Sequence, residues 1–246
     1  MNEMNGGMEP AVRLDGVGKV YGTGGSAVTA LRDVSHTFAR GSFTAVMGPS
    51  GSGKTTMLQC AAGLTRPTSG TVSVGGADIT RLGEAELSGL RSRRIGFVFQ
   101  SFNLLPALTG KENIELPLRL ARRRPAPGRV EELAGRAGIA EHVHRRPHEL
   151  SGGQQQRVAI CRALVAGPEV VFADEPTGNL DARSGREILG LLRLVVVELG
   201  QTVIMVTHDP AVASHADRVL FLSDGQVGEV LEGPTAEAIA ARLGVR

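Results

Sequence analysis

The sequence predicts an α/β fold with a mostly parallel core sheet. Three short apolar runs, at residues 43–47, 170–173 and 203–206, are continuous rather than alternating, which is typical of strands buried on both faces. Residues 184–199 carry apolar side chains along one helical face. Alternating buried strands and helices indicate a parallel sheet, whose ligands lie at the carboxyl ends of its strands.

The residues before this core predict an antiparallel β subdomain. Residues 1–10 are polar and lack periodicity, so we expect a disordered leader there and a single domain over residues 11–246. A first strand is expected over residues 12–21, and a second at 34–38. A turn-and-strand unit at 68–76 follows the first core strand.

Helices are expected to interrupt the core in the middle of the chain. A short helix at 84–91 precedes a strand at 95–99, after which the sequence changes character. Residues 109–112 fit a capping box, and residues 128–137 predict another helix. We therefore expect a helical subdomain, about residues 102–165, inserted between core strands.

Arginines are concentrated in this helical segment, at positions 119, 122, 123, 124, 129, 136, 145 and 146. Such a run is usually a solvated face, and a protein or lipid contact is the alternative.

The remaining segments close the fold. A hairpin is predicted from strands at 218–222 and 226–230, joined by the turn Asp224-Gly225, and a last helix at 235–243.

Composition excludes several classes of protein. A net charge of +2 favours no nucleic-acid partner, and no run is long and apolar enough to span a membrane. The first residues lack the basic and apolar parts of a signal peptide, so we expect none. Cys60 and Cys161 fall in predicted helices without metal-binding spacing, which indicates reduced, buried thiols. We expect a cytosolic protein.

A glycine-rich loop links the first core strand to a helix. Residues 48–55 fit G-x-x-x-x-G-K-[ST] in the strand–loop–helix context that this motif requires. Backbone N–H groups of such a loop face an anion, Lys54 can reach the β- and γ-phosphates, and the Thr55 hydroxyl can bind Mg²⁺. The sequence thus predicts a P-loop NTPase, because a chance turn would rarely combine all the fixed positions. The residues expected to hold the phosphates are Gly48, Ser50, Gly51, Ser52, Gly53, Lys54, Thr55 and Thr56.

Polar side chains end two other core strands. Asp174 matches the carboxylate that orients Mg²⁺ in P-loop NTPases, and Glu175 could accept a proton from the attacking water. His208 could hydrogen-bond the γ-phosphate, although a lone histidine is more often structural. Tyr21 could stack on a purine, with a strand-end aromatic covering the sheet edge as an equal alternative.

A second potential anion site follows Leu150. Ser151, Gly152, Gly153 and Gln154 begin a predicted helix, where free N–H groups and the helix dipole favour an anion. The chain already has one phosphate loop for its own nucleotide. A second anion site is therefore understandable if it serves the nucleotide of another copy of the chain.

With these motifs in place, the chain resembles the nucleotide-binding subunits of ABC transporters, from residue 12 to about residue 230. The motifs stand in the order of that family: Tyr21 at the adenine-stacking position, the phosphate loop, Gln100 as the Q-loop, residues 150–154 as the signature, Asp174 and Glu175, residues 179–181 as the D-loop, and His208 as the switch histidine.

The resemblance implies roles for these residues. Catalysis would use Lys54, Gln100, Glu175 and His208; Mg²⁺ would be bound through Thr55, Gln100 and Asp174; Tyr21, Asp181 and the signature would contact ATP. It also implies a head-to-tail dimer that sandwiches two ATP molecules, each between the phosphate loop of one chain and the signature of the other.

Within the family, residues 94–106 and 173–181 resemble the macrolide-exporter and lipoprotein-releasing subfamily. The resemblance implies an ATPase at the inner face of the cell membrane, bound to an integral membrane permease with an extracytoplasmic domain. Gly110-Lys111 and Cys161 depart from the residues usual in that subfamily.

Three other interpretations fit parts of the sequence. A cell-division ABC ATPase that regulates wall hydrolases through a membrane partner, without moving a solute, remains open. DNA-repair and chromosome-organising ABC proteins carry a long coiled coil between phosphate loop and signature, for which the interval from Lys54 to Ser151 is too short. A nucleoside kinase would not need residues 150–154.

Overall fold

The computed structural model describes residues 9–244. The first eight residues of the predicted leader lie outside this range. In chain order the elements are β1 (Val12–Tyr21), β2 (Val28–Phe38), β3 (Phe43–Met47), α1 (Lys54–Ala61), β4 (Ser69–Val74), β5 (Ala77–Asp78), α2 (Glu84–Arg94), β6 (Ile95–Phe99), α3 (Gly110–Leu120), α4 (Arg129–Arg136), α5 (Gly152–Leu164), β7 (Val170–Asp174), α6 (Ala182–Leu199), β8 (Thr202–Val206), α7 (Pro210–Ala213), β9 (Arg218–Ser223), β10 (Gln226–Glu232) and α8 (Ala236–Leu243).

The strands form two sheets. One is four-stranded and antiparallel, in the order β2-β1-β4-β5. The other has six strands in the order β10-β9-β3-β8-β7-β6 and is parallel except for the β9–β10 hairpin. The predicted α/β fold, with a mostly parallel core and an antiparallel N-terminal sheet, is confirmed.

Each central strand is buried on both faces, which explains its continuous apolar sequence. Along β3, Ala45 and Met47 join the core cluster that contains α5 and α6, whereas Val46 joins the cluster beneath α1 and the antiparallel sheet. Side chains alternate between the faces of a strand, so both faces need apolar residues when helices or another sheet cover them.

The sequence underestimates the length of β2. The strand begins at Val28, not residue 34, because its first residues pair with the end of β1: Val28 lies opposite Tyr21, and Thr29 opposite Val20. Val28 is 63% exposed and Leu31 is the one buried residue between positions 28 and 33, so this part of the strand shows little apolar alternation in the sequence.

The helices α3, α4 and α5 all lie between β6 and β7, within the interval predicted to be helical. The predicted capping box is present: the Glu112 N–H donates to the Thr109 hydroxyl (3.2 Å), and the Thr109 N–H donates to the Glu112 carboxylate (2.8 Å). Cys60 and Cys161 are buried free thiols, as expected. Across residues 9–244, no helix has the length and apolar character needed to cross a bilayer.

Candidate nucleotide site

A cavity of about 500 Å³ lies where the carboxyl ends of β3, β7 and β8 meet. Its lining residues are Ala30, Ser50, Gly51, Gly53, Lys54, Thr55, Thr56, Asp174, Glu175, Val206 and His208. The strand-end acids, the histidine and most of the phosphate loop are therefore brought together, as the topology of a parallel sheet requires.

The phosphate loop is closely packed against other backbone segments. A Cβ on Gly48 would lie 1.9 Å from the Leu222 carbonyl oxygen, and one on Gly53 would lie 2.4 Å from the Ala30 carbonyl oxygen. Gly53 also has φ 99°, a conformation that residues with side chains rarely adopt. Ser52 is buried, and its hydroxyl has no hydrogen-bond partner among the described residues. Glycine is thus obligatory at both ends of the loop.

Lys54 begins α1 and points back into the loop. Its ammonium donates to the carbonyl oxygens of Gly48 (2.9 Å) and Pro49 (2.8 Å). Burial lowers the pKa of Lys54, and the negative charges of Glu175 and Asp174 act in the opposite direction. The side chain is therefore a partly desolvated cation, held where an anion in the loop would meet it.

Two carboxylates and a histidine face Lys54. Burial chiefly raises the pKa of Asp174; the neighbouring charge of Glu175 adds to this, and Lys54 opposes it. The Nδ1 of His208 lies 2.7 Å from a carboxylate oxygen of Glu175. Glu175 itself has φ 47°, which is uncommon for a residue other than glycine and is found at functional sites. Its N–H donates to the Val206 carbonyl (3.0 Å), which fixes the strained residue to the end of β8.

The remaining predicted site residues do not line this cavity. Tyr21, at the end of β1, is 41% exposed and has the Lys19 ammonium 4.9 Å from its ring centroid. The Gln100 amide follows β6 and donates to the Asn179 side chain (3.3 Å), while the Asn179 amide donates back to the Gln100 carbonyl (3.1 Å). The Q-loop and D-loop are thus joined to each other rather than to Lys54.

The signature residues form the first turn of α5. The Ser151 hydroxyl caps the helix by accepting from the Gln154 N–H (3.3 Å). A Cβ on Gly152 would lie 3.3 Å from Leu180, and one on Gly153 would lie 3.2 Å from the Ser184 hydroxyl, so the signature packs on the D-loop and the start of α6. Asp181 caps α6 by accepting from the Arg183 and Ser184 N–H groups (both 3.0 Å).

Sequence reasoning missed Gln156. Its side chain is fully buried, and its amide donates to the carbonyl oxygens of Pro176 (2.6 Å) and Phe99 (3.3 Å). It thereby ties the signature helix to the strand before Gln100 and to the segment after Glu175. The available signal was its position four residues before Ile160, on the apolar face of α5.

Arg162, further along α5, holds the chain after Gln100. Its guanidinium donates to the carbonyls of Phe102 (2.7 Å) and Asn103. Both acceptors have positive φ, 58° and 50°. No local sequence pattern indicated this contact, which joins residues about sixty positions apart.

Comparison with known proteins places these features in a family. The family model described as "ABC transporter" matches residues 31–178. The lipoprotein-releasing system ATP-binding protein LolD of Anaeromyxobacter dehalogenans is 47% identical over 92% of this chain and 95% of the relative. A macrolide export ATP-binding/permease protein, MacB, of Paracoccus denitrificans is 45% identical over 89% of this chain; the alignment spans 33% of that longer protein.

A solved structure agrees in fold. The ATP-binding cassette MJ0796, in a dimeric post-hydrolysis state bound to ADP and phosphate, superimposes with a TM-score of 0.81 at 42% identity. The match covers 90% of this chain and 98% of that chain. The predicted resemblance to the macrolide-exporter and lipoprotein-releasing subfamily is confirmed by these relatives, and the chain belongs to the ABC transporter family as one of its ATP-binding, ATP-hydrolysing subunits.

Proposed function

We propose that this ATPase works as a head-to-tail dimer in which each ATP is held by Lys54 of one chain and Ser151 of the other. The observation that carries this proposal is the division of the predicted nucleotide residues between two places. The phosphate loop, Asp174, Glu175 and His208 line one cavity, whereas the signature lies outside it, at the exposed start of α5. One chain thus holds an incomplete site, and a second copy would complete it.

The cavity suits a nucleoside triphosphate with Mg²⁺. The Thr55 hydroxyl and the Asp174 carboxylate are hard oxygen donors in one cavity, and Mg²⁺ typically takes one or two carboxylates together with phosphate oxygens. Burial chiefly raises the pKa of Asp174, and the neighbouring charge of Glu175 adds to this; a bound cation would favour the ionised carboxylate. The bound ion would supply charge neutralisation at the β- and γ-phosphates.

The Lys54 ammonium would then donate to phosphate oxygens instead of to the carbonyl oxygens of its own loop. The other residues assigned to the phosphates are Gly48, Ser50, Gly51, Ser52, Gly53 and Thr56. Glu175 would accept the proton of the attacking water, and His208 would orient Glu175 and contact the γ-phosphate, since the two side chains already lie 2.7 Å apart. We assign Tyr21 to adenine stacking, Gln100 to the water and Mg²⁺ shell of the closed state, and Gly152, Gly153, Gln154 and Asp181 to the nucleotide of the facing chain.

A mixed dimer tests the shared site. Lys54→Ala and Ser151→Arg homodimers should each fail to form an ATP-dependent dimer, the second because a bulky cation obstructs the start of α5. A heterodimer of the two has one site with both lesions and one with neither, so differently tagged mutants should associate when ATP is added.

Thr235→Arg is the matched control, because Thr235 caps α8 through the same kind of hydroxyl contact. That variant should dimerise with ATP like the wild type. If the mixture associates no better than either mutant alone, each signature does not serve the facing chain, and the proposed dimer is wrong.

We further propose that the chain sits at the inner face of the cell membrane and drives an integral permease with an extracytoplasmic domain. The surface after Gln100 supports this placement. Leu105 is 47% exposed, while its backbone is fixed by the buried Asn113, whose side chain bonds the Leu105 N–H (2.8 Å) and carbonyl (3.1 Å). The segment thus exposes an apolar side chain on a backbone held by hydrogen bonds, five residues after Gln100.

Leu105→Ser should weaken permease binding roughly tenfold, the loss expected when one leucine is no longer buried. The folded chain and its ATP binding should remain. Leu64→Ser is the control, since Leu64 is similarly exposed (45%) elsewhere on the surface. Phe102 is less suitable, because its ring packs near Gly152 and its change would also disturb the signature. Equal weakening of permease binding by Leu105→Ser and Leu64→Ser would contradict the proposed contact.

A further inference from the structure

The end of α3 carries a cationic surface with an apolar centre. Arg119, Arg122, Arg123 and Arg124 are all exposed, and Leu120 among them is 76% exposed, which exceeds the value for every other large apolar residue between positions 9 and 244. No acid occurs between residues 119 and 128. These five residues are here called the basic patch.

The arginines of the basic patch differ from their cationic neighbours. Lys111, Arg129 and Arg136 each pair with a glutamate at 2.8 to 3.2 Å. Within residues 9–244, none of the four arginines of the patch makes an ion pair. The nearest acids, Glu112 and Glu115, line the same surface concavity as Arg119, Arg123 and Arg124. These two acids offset part of the charge, and four arginines against two acids leave the surface cationic.

The backbone holds these arginines in a fixed turn. The Arg122 N–H donates to the Arg119 carbonyl (3.0 Å) and the Arg123 N–H to the Leu118 carbonyl (2.8 Å), which is the double hydrogen bond of a Schellman motif. Glycine is the usual residue at the left-handed position of this motif, but Arg122 occupies it with φ 53°. A cation at a helix end complements the helix dipole. The helix dipole can account for one arginine at this position. It does not account for the other three arginines or for the exposure of Leu120.

An exposed leucine surrounded by unpaired arginines suits an anionic bilayer surface. Phosphate headgroups attract the guanidinium groups, and the leucine can enter the acyl boundary. An acidic protein segment could also pair with the guanidinium groups, but that protein would then need a pocket to accommodate Leu120. The patch also adjoins the groove lined by Phe97, Phe99 and Pro117, since Pro117 and Leu120 are three residues apart on one face of α3.

We propose that the basic patch binds the anionic phospholipid surface of the membrane directly, beside the permease and independently of it. The location of the chain at a membrane rests on the proposed function, but the lipid contact belongs to the isolated chain. The net charge of the whole chain is only +2, so general attraction to an anionic surface is weak. Binding should therefore depend on the patch.

Vesicle co-sedimentation of the isolated chain, without ATP or permease, tests this proposal. The wild type should bind vesicles containing phosphatidylglycerol, should not bind phosphatidylcholine vesicles, and should be released by salt. Each basic residue at an anionic surface strengthens binding about fivefold, so Arg122→Gln, Arg123→Gln and Arg124→Gln together should weaken it roughly 100-fold. Leu120→Ser should also weaken binding. Because the lost contribution is apolar, the size of this loss should depend little on the salt concentration.

The matched control replaces Arg13, Arg32 and Arg81 with glutamine, the same loss of charge at exposed positions remote in sequence from α3. Val197→Ser is the control for Leu120, because Val197 is 67% exposed on α6. Equal losses in the patch and control variants would overturn the proposal, as would a wild type that binds no vesicle. Loss of permease binding without any vesicle binding would overturn it in favour of an acidic protein segment. ATP-dependent dimerisation of the patch variants, measured separately, reports on the proposed function and should be unchanged.

Discussion

Lys54→Ala should abolish ATP hydrolysis and reduce ATP affinity at least 100-fold. The ammonium donates to two carbonyl oxygens of its own loop, Gly48 and Pro49, so its removal deprives both the loop and the incoming phosphates of a charge-assisted donor. Among the described residues that line the cavity, no other lysine and no arginine occurs. Equilibrium binding of a fluorescent ATP analogue and steady-state phosphate release measure the two effects.

Lys111→Ala provides the control for this variant. The chain has three lysines, and Lys111 pairs on the surface with Glu131, so its loss should leave both binding and turnover near the wild type. Hydrolysis by Lys54→Ala within a few-fold of the wild type would contradict the assignment of the phosphate loop.

Glu175→Gln should lower turnover about 1000-fold while ATP still binds. The amide keeps the shape of the side chain, and its oxygen can still accept from His208, but the group can no longer take a proton from water. Removal of the Glu175 charge also removes one contribution that raises the pKa of Asp174, so Asp174 becomes more readily ionised for Mg²⁺. The variant should therefore bind ATP and accumulate as a closed dimer.

Sedimentation velocity with ATP and Mg²⁺ measures that accumulation. Glu141→Gln makes the same chemical change at an exposed position and should show wild-type turnover with only transient dimers. Retained turnover in Glu175→Gln, with no stable dimer, would assign the general base to another residue.

The sequence predicts those features of the fold that depend on local pattern. The central strands are continuous apolar runs, and Thr109 and Ser151 mark the starts of helices α3 and α5 because capping is a local interaction. The first half of β2 was missed because most of its residues are exposed and its conformation depends on pairing with β1. Local pattern carries no information about such a partner strand.

For the candidate site, the motifs predict which residues matter but not how they are connected. Three sets of hydrogen bonds join distant parts of the chain: those of Gln100 with Asn179, of Gln156 with Pro176, and of Arg162 with Phe102. The positive φ of Glu175 is likewise set by its tertiary hydrogen bond to Val206 rather than by any preference of glutamate. These features became visible only once the sheet order was known.

The position of β3 has a consequence for the synthesis of the protein. This strand ends at the phosphate loop and lies between β8 and β9, which are among the last elements of the chain. The turn after β9 adds a further support: the Gly225 N–H donates to the Ser52 carbonyl (3.0 Å), and the Arg32 N–H donates to the Gly225 carbonyl (2.8 Å). A nascent chain that has emerged from the ribosome only as far as α6 lacks all of these supports. We therefore expect the phosphate loop, which is made early, to acquire its final shape only when translation is nearly complete.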